Sequence, residues 1–200
     1  MIDEGYTFNL TEELARWAFE LRIEDLPDWQ IAFSNPTAGP WKRVCASDAK
    51  GITGEVHRFG KSDLRPDLLL VNDALSAIVI VEAKPDLPAL VQAKQVAKSC
   101  RVVNDLAVTL SGLGHNSHWN GRAEYQTVVG LLWGATVPAP KNVRSEAFGL
   151  YEKCLSRSNT THAGLIAIEV LRTNDDLEVT AMTNDDATPS PFLRKVQSSF

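Results

Sequence analysis

Three charged residues lie at the open ends of an otherwise apolar segment. Asp67 precedes the run LLLV, and Glu82 and Lys84 close the run AIVIVEAK. The polar stretch between the two runs, residues 72–76, has the composition of a turn, so the runs are predicted to pair as antiparallel strands. With the turn centred in that stretch, Asp67 stands opposite Glu82, and Lys84 lies two residues farther along on the same face. A slip of one residue would separate the three charges.

A cluster of this kind suits phosphate chemistry. Two carboxylates held close together repel each other unless a cation neutralises them, and hard oxygen ligands suit Mg²⁺ or Mn²⁺. A lysine beside the cation orients or deprotonates an attacking water, or stabilises charge that develops on a phosphate. The alternative is a salt-bridged hairpin end, in which Lys84 neutralises Asp67 and Glu82 and no reaction takes place.

The residues PD at 66–67 and EAK at 82–84, placed on a predicted hairpin with apolar strands, resemble the motif of the PD-(D/E)xK nuclease superfamily. That superfamily includes many type II restriction endonucleases. The resemblance covers residues 66–84 directly and, with the neighbouring predicted helices, extends over the first half of the chain. It implies a restriction-endonuclease-like core, in which a central mixed β-sheet has helices on both faces.

The same resemblance implies a role for each residue of the motif. Asp67 and Glu82 would bind a divalent cation, Mg²⁺ or Mn²⁺, and the backbone carbonyl of Ala83 would complete the ligand set. Lys84 would act on the nucleophilic water. Asp67, Glu82 and Lys84 are therefore the predicted catalytic residues.

The sequence leaves undecided which further acidic residue and which glutamine would contribute to the site. Relatives often add an acidic residue from the first helix, and here Glu13 and Glu20 are the candidates. Gln92 or Gln95, on the helix that follows the motif, would approach the site as in some relatives. The spacing of the residues does not choose within either pair.

The apolar spacing predicts the elements that must position these residues. A helix is expected near 10–25, with Asn9 or Thr11 as its cap and with Trp17 and Leu21 in its apolar stripe. The other expected elements are strands at 41–47, 68–71, 77–83, 125–135, 163–172 and 177–183, helices at 87–103 and 143–156, and a C-terminal tail that frays or docks as a short helix. This mixture indicates an α/β or α+β class around a central sheet, and the resemblance favours α/β. The length favours one domain over residues 1–200.

Basic residues follow the motif on the same predicted helix. Lys94, Lys98 and Arg101 form a stripe that would line a groove for nucleic-acid phosphates, although a charged stripe also fits a solvated helix face. Trp41, Lys42 and Arg43 follow a loop with Pro and Gly and are a second candidate contact with nucleic acid.

A loop rich in Gly and Asn spans residues 111–122. It contains His115 and His118, whose spacing is not the i, i+4 spacing of a helical zinc pair and which have no nearby cysteine or third histidine, so zinc is not expected. The loop fits a mobile recognition loop or lid, and it fits a plain surface loop equally well.

The overall composition limits the choice of function. The 200 residues are 44% hydrophobic and carry a formal net charge of −5, which argues against binding nucleic acid over the whole surface and leaves room for a local basic groove. No apolar run approaches the roughly 18 residues of a membrane-spanning helix, and the acidic N-terminal segment lacks the basic start of a signal peptide. Three cysteines without CxxC spacing fit reduced thiols in the cytoplasm.

The expected function is therefore a metal-dependent endonuclease that hydrolyses DNA phosphodiester bonds, of restriction type. A homodimer is expected with it, because palindromic sites ask for two-fold symmetry. The same residues would also serve a junction-resolving, repair or RNA-cleaving nuclease. An alternative of another class is a non-catalytic module that keeps the fold and binds nucleic acid or protein.

Overall fold

The computed structural model describes residues 4–34, 66–113, 125–157, 162–184 and 190–200. The predicted strand at 41–47 and the residues Trp41, Lys42 and Arg43 lie outside these ranges. His115, His118 and Cys45 lie outside them as well. Within them, Cys100 and Cys154 are free thiols.

The described parts of the chain contain both helices and strands. In order they are α1 (Glu4–Glu24), β1 (Trp29–Ser34), β2 (Leu68–Asn72), β3 (Ala77–Lys84), α2 (Leu87–Leu90), α3 (Ala93–Leu113), β4 (Gln126–Ala135), α4 (Lys141–Arg157), β5 (Gly164–Arg172), β6 (Leu177–Met182) and α5 (Pro191–Ser198). Among the described helices, none has the length and apolar content to cross a membrane.

The six strands form one mixed sheet in the order β1-β2-β3-β4-β5-β6. The central strands β3, β4 and β5 are parallel to each other, while β1, β2 and β6 run antiparallel to their neighbours. Parallel strands need a crossover, which α2 and α3 provide before β4 and α4 provides before β5. The carboxyl ends of β3, β4 and β5 therefore meet at one edge of the sheet, the edge at which β2 begins.

The hairpin of β2 and β3 has the predicted register. Leu68 pairs with Val81, and the amide of Asp67 donates a 3.0 Å hydrogen bond to the carbonyl of Val81. The turn is fixed by Asn72, whose Oδ1 accepts a 2.8 Å hydrogen bond from the amide of Leu75. Asp67 thus lies beside Glu82, as the centred turn predicts.

Helices cover both faces of the sheet. On one face, Phe19 of α1 and Val196 of α5 join a core with the β3 residues Val79 and Val81. On the other face, α2, α3 and α4 pack on Ile80 and its neighbours. Strands β2 and β3 are buried on both sides, which explains why their sequences are almost continuously apolar. The α/β prediction with helices on both faces of a mixed sheet is confirmed at this level.

The first helix differs from its prediction in two ways. It begins at Glu4, so Asn9 and Thr11 lie inside it and cap nothing. Its buried apolar side chains include Phe19 and Ile23, whereas Trp17 is 51% exposed and Leu21 is 41% exposed. The predicted stripe was therefore wrong at Trp17 and Leu21, while Ala18 of the same stripe is buried. Two overlapping apolar stripes compete on this helix, and only packing against the sheet selects one.

The helix predicted at 87–103 is two helices. The short α2 is capped by Asp86, whose side chain accepts from the amide of Ala89, and it ends at Leu90. A new helix begins at Ala93 and continues to Leu113, ten residues beyond the predicted end. The first residues of the predicted loop at 111–122 thus belong to α3, and the loop from 114 onward lies outside the described ranges.

Candidate active site

The main chain at the open end of the hairpin fixes the position of Asp67. Its Oδ2 accepts a 2.7 Å hydrogen bond from the amide of Ala83. This amide belongs to the neighbouring strand, so the bond fastens the start of β2 to the end of β3. Asp67 is 8% exposed and Glu82 is 4% exposed, and both carboxyl groups therefore lie in a setting poor in water.

Lys84 lies between the two carboxylates. Its Nζ is 3.0 Å from Oε1 of Glu82 and 3.5 Å from Oδ2 of Asp67, and it also donates to the carbonyl of Ala83. Burial alone would lower the pKa of Lys84, but the charges of Asp67, Glu82 and Glu12 outweigh burial and raise it. Lys84 is therefore a fixed cation at neutral pH, and the three predicted catalytic residues are brought together.

A chain of hydrogen bonds from α3 and α4 orients Glu82. The amide nitrogen of Gln95 donates to Oε1 of Glu82 and, at 3.0 Å, to Oγ of Ser99. Oγ of Ser99 lies 3.4 Å from the hydroxyl of Tyr151, which is fully buried. Gln95 is thus the glutamine that reaches the site, whereas Gln92 is exposed and lies just before α3.

The surroundings of Glu82 disfavour the ionised form of its carboxyl group. Burial and the negative charge of Asp67 raise its pKa to about 7, against the pull of Lys84 and Lys98 in the other direction. A carboxyl with such a pKa is only partly ionised near neutral pH. Any added positive charge at this point would favour its ionised form.

A third acidic residue belongs to this cluster, and it is not among those that the sequence predicts. Glu12 of α1 is 7% exposed. Burial raises the pKa of Glu12 to about 7, and the charges of Lys84 and Asp67 both act on it. Glu12 therefore lies close to the hairpin end, one residue before the predicted candidate Glu13.

The two candidates predicted from α1 have other partners. Glu20 accepts a 2.6 Å hydrogen bond from Oγ of Ser34 and lies 3.8 Å from Nε of Arg16. Glu13 lies 3.7 Å from Arg16 and is partly exposed. The signal that could have found Glu12 is the series Glu12, Arg16 and Glu20, because three charged residues spaced four apart share one helix face and here that face is buried.

The predicted nucleic-acid contacts lie along α3. Lys94 and Arg101 are exposed and Lys98 is half-buried. The charge of Lys98 acts on Glu82 and favours its ionised form, against the larger effect of burial. Arg101 lines a cavity of about 260 Å³ between α3 and α4, together with Arg157. The basic stripe therefore leads away from Glu82 along the surface of α3.

The donors at the hairpin end fit a hard divalent cation in composition. In the parts of the chain that the structure describes, no group of three or more His, Cys, Asp or Glu is arranged to hold a metal. Two carboxylates and the carbonyl of Ala83 are oxygen donors, and Mg²⁺ commonly binds through one or two carboxylates and keeps several waters. Burial is the main cause of the raised pKa values of Glu12 and Glu82, and a bound cation would favour the ionised form of both groups. The residues present therefore fit Mg²⁺ or Mn²⁺.

Comparison with protein-family models, with curated proteins and with solved structures finds no match. The likeness to the nuclease superfamily thus stays at the motif of residues 66–67 and 82–84 and its place on a hairpin. What this group of residues does has to follow from its own geometry and chemistry.

Proposed function

We propose that the protein is a divalent-metal-dependent nuclease of the PD-(D/E)xK type, with a restriction-endonuclease-like core, that hydrolyses phosphodiester bonds in DNA. One observation carries the proposal. Asp67, Glu82 and Lys84 converge at the open end of a hairpin whose two strands are buried, with Lys84 within 3.5 Å of both carboxylates. Acidic groups with strongly shifted pKa values, held by rigid elements, are typical of reaction centres.

The energetics favour a functional role for this cluster. Three buried carboxyl groups near one another cost stability, because burial and mutual repulsion both oppose their ionisation. A single lysine compensates this charge only in part, since the pKa values of Glu12 and Glu82 stay near 7. A protein that only needed to close a hairpin would be stabilised by replacing these groups with apolar ones.

Each residue has a role that follows from its position. A divalent cation bound by Asp67, Glu82 and the carbonyl of Ala83 would supply Lewis-acid polarisation and activate water. The amide of Ala83 holds the carboxylate of Asp67 in place, and Gln95 holds that of Glu82. The ammonium group of Lys84 would orient the attacking water or stabilise the negative charge that grows on the phosphate.

The choice of DNA as substrate rests on the surface around the site. Lys94, Lys98 and Arg101 offer positive charge along α3, beginning next to Glu82. With a net charge of −5 for the whole chain, binding of a polyanion would concentrate on such a local stripe. Restriction-type cleavage by a homodimer is the specific form that we propose. A junction-resolving, repair or RNA-cleaving role would use the same residues.

One observation favours a second candidate, a non-catalytic module with a salt-bridged hairpin end. Lys84 bonds to Glu82, Asp67 and the carbonyl of Ala83, so its three donors already have partners without a cation. In this case the fold would bind nucleic acid or protein without cleavage. The two candidates differ in whether divalent cations change what the protein does to a nucleic acid.

The deciding experiment incubates the purified protein with plasmid DNA, single-stranded DNA and RNA, in Mg²⁺, in Mn²⁺ and in EDTA. Lys84→Ala and Asp67→Asn are compared with Lys195→Ala, an exposed lysine of α5 on the opposite face of the sheet. We expect cleavage of DNA in the divalent cations, a loss of about a hundred-fold or more in the first two variants, and wild-type rates for Lys195→Ala. Absence of cleavage of all substrates, or equal rates in all variants, would establish the non-catalytic candidate.

A further inference from the structure

Two cysteines face each other across the contact between α3 and α4. A side-chain hydrogen bond joins the thiols of Cys100 and Cys154, although the whole of β4 separates them along the chain. Cys100 is 3% exposed and belongs to the core on this face of the sheet, and Cys154 is half-buried and packs against that core. The nuclease function proposed above uses neither thiol.

A cavity leads from the surface to this pair. Its volume is about 260 Å³, and both thiols line it, so a small molecule that enters the cavity meets them together. Arg101 and Arg157 also line it and are exposed, which places their guanidinium groups where the cavity meets the solvent. Buried cysteines often serve only as small apolar side chains, but that role requires no opening to the solvent beside the sulfur atoms.

The two thiols differ in how readily they react. Burial, together with the hydrogen bond to Cys154, raises the pKa of Cys100, so Cys100 stays protonated near neutral pH and is a poor nucleophile by itself. Cys154 is the more exposed of the two, and a reagent in the cavity reaches it first. An accessible thiol with a second thiol in contact is the arrangement typical of cysteines that respond to oxidants.

We propose that Cys100 and Cys154 form a reversible disulfide bond when the protein meets a hydroperoxide. The sulfur of Cys154 takes one oxygen as the O–O bond breaks, which gives a sulfenic acid and one molecule of water or alcohol. The sulfur of Cys100 then bonds to that of Cys154, the S–O bond breaks, and the hydroxyl leaves as water with the proton of Cys100. Two thiols thus lose two electrons to the peroxide, and a dithiol reductant restores them.

The bond would cross-link two helices that also support Glu82. Cys100 follows Ser99, whose Oγ lies 3.4 Å from the hydroxyl of Tyr151 on α4. Cysteines whose side chains point apart cannot be bridged without movement of the backbone, whereas these two side chains already touch. The disulfide would close a long loop that contains β4, and such a constraint on the unfolded chain stabilises the fold.

The test uses the full chain with Cys45→Ser, so that Cys100 and Cys154 are the only thiols present. The protein is treated with hydrogen peroxide at neutral pH, unreacted thiols are alkylated, and mass spectrometry measures the intact mass and the non-reduced peptides. Cys100→Ala and Cys154→Ala in the same background are treated alike, with dimedone added to trap a sulfenic acid. Melting curves before oxidation establish that each variant folds.

We expect the intact protein to lose two hydrogen atoms and to yield a peptide that joins Cys100 to Cys154, and dithiothreitol should reverse both changes. The oxidised protein should melt about 5–10 °C higher than the reduced protein. Cys100→Ala should carry a dimedone adduct at Cys154, because the sulfenic acid has no thiol to attack it. Cys154→Ala should leave Cys100 unmodified.

Three outcomes would overturn the proposal. They are full alkylation of both thiols after the peroxide treatment, a cross-link that joins two molecules, and a melting temperature that the bond lowers. Reaction of Cys100 in Cys154→Ala as fast as that of Cys154 in Cys100→Ala would overturn the order of the two steps. Each readout is independent of cleavage, so the result holds whether or not the protein is a nuclease.

Discussion

The backbone amide of Ala83 donates a 2.7 Å hydrogen bond to Oδ2 of Asp67. This bond crosses from β3 to the residue just before β2, where the ladder between the strands ends. The same oxygen lies 3.5 Å from Nζ of Lys84. Asp67 is thus held by a main-chain donor and by a cation at once, so its position depends on the hairpin and not on a flexible contact.

The hydrogen bond to Ala83 predicts that two substitutions of Asp67 differ in stability. Asp67→Ala leaves the buried amide of Ala83 without an acceptor, which costs about 1–3 kcal/mol. Asp67→Asn keeps an oxygen at the same place, so its melting temperature should stay closer to that of the wild type. Both should lose cleavage. Thermal melts in EDTA measure the difference, and equal melting temperatures for Ala and Asn would show that the bond contributes nothing.

The raised pKa of Glu12 predicts how stability changes with pH in the absence of metal. Its pKa is about 7 in the folded protein and 4.5 is its ordinary value, so between these values the folded state holds more protons than the unfolded state. The free energy of unfolding should therefore fall as the pH rises from about 4.5 to about 7, and it should level off above that range. Glu12→Gln should reduce this fall by on the order of 1–3 kcal/mol.

The control for this prediction is Glu13→Gln, on the partly exposed neighbouring position of α1. Thermal unfolding in EDTA at several pH values compares the stability of the wild type, Glu12→Gln and Glu13→Gln. A fall with pH that is as steep in Glu12→Gln as in Glu13→Gln would contradict the assignment of the effect to Glu12.

The contact between Gln95 and Glu82 predicts a positioning role for Gln95. Residues that orient ligands of a catalytic cation typically contribute about 10- to 100-fold to activity or metal affinity, so Gln95→Ala should lower the rate by about ten-fold or more. Gln92→Ala, at an exposed position on the same stretch, should retain wild-type activity. Titration with Mg²⁺ separates a weaker cation affinity from a slower reaction. Equal rates in the two variants would argue against this role.

Replacement by alanine should have opposite effects on stability at Gly134 and at Gly149. Gly134→Ala places a methyl group 3.0 Å from Thr11 and should destabilise the protein by about 1–3 kcal/mol, because α1 has to move away from β4. Gly149 lies on α4 with no atom within 4 Å of an added Cβ, so Gly149→Ala should stabilise it by about 0.5–1 kcal/mol. Unfolding by denaturant measures whether the free energy of unfolding falls in Gly134→Ala and rises in Gly149→Ala. Loss of activity should accompany only the first, since Glu12 moves with α1.

The basic stripe predicts a change in salt dependence. If Lys98 contacts a phosphate, Lys98→Ala should weaken DNA binding for all sequences and reduce the slope of log affinity against log salt by about one. Lys195→Ala, on the opposite face of the sheet, should leave the slope unchanged. Binding titrations at several salt concentrations in Ca²⁺ give the slopes. Equal slopes for the two variants would exclude Lys98 from the binding surface.

The hairpin was predictable because residues close together in the sequence determine its register. A two-residue period and a centred polar turn fix which residues face each other, and the pairing of Leu68 with Val81 follows from them. The grouping of Asp67, Glu82 and Lys84 needed nothing from the rest of the chain. The strands β4, β5 and β6 were also found from local patterns, because β4 and β5 are largely apolar and apolar and polar residues alternate at the start of β6.

The face that α1 turns toward the sheet was not predictable from its spacing. Trp17 and Leu21 form an apolar stripe as regular as the one containing Phe19 and Ile23, and the choice depends on the shape of the sheet surface. The acidic candidates predicted on this helix were Glu13 and Glu20, and Glu12 was not among them. Whether a charged residue on a helix is buried depends on tertiary packing. The spacing of residues in the sequence therefore did not reveal that Glu12 is buried near the site.

The cluster of acidic residues joins parts of the chain that are far apart in sequence. Asp67 and Glu82 lie on one hairpin, and contacts between neighbouring residues form early because little loop entropy opposes them. Glu12 comes from α1, far earlier in the chain, and reaches the cluster only when that helix docks on β4 at Gly134. Repulsion among the carboxylates therefore opposes the docking of α1, and any cation bound as proposed above would strengthen this docking by relieving it.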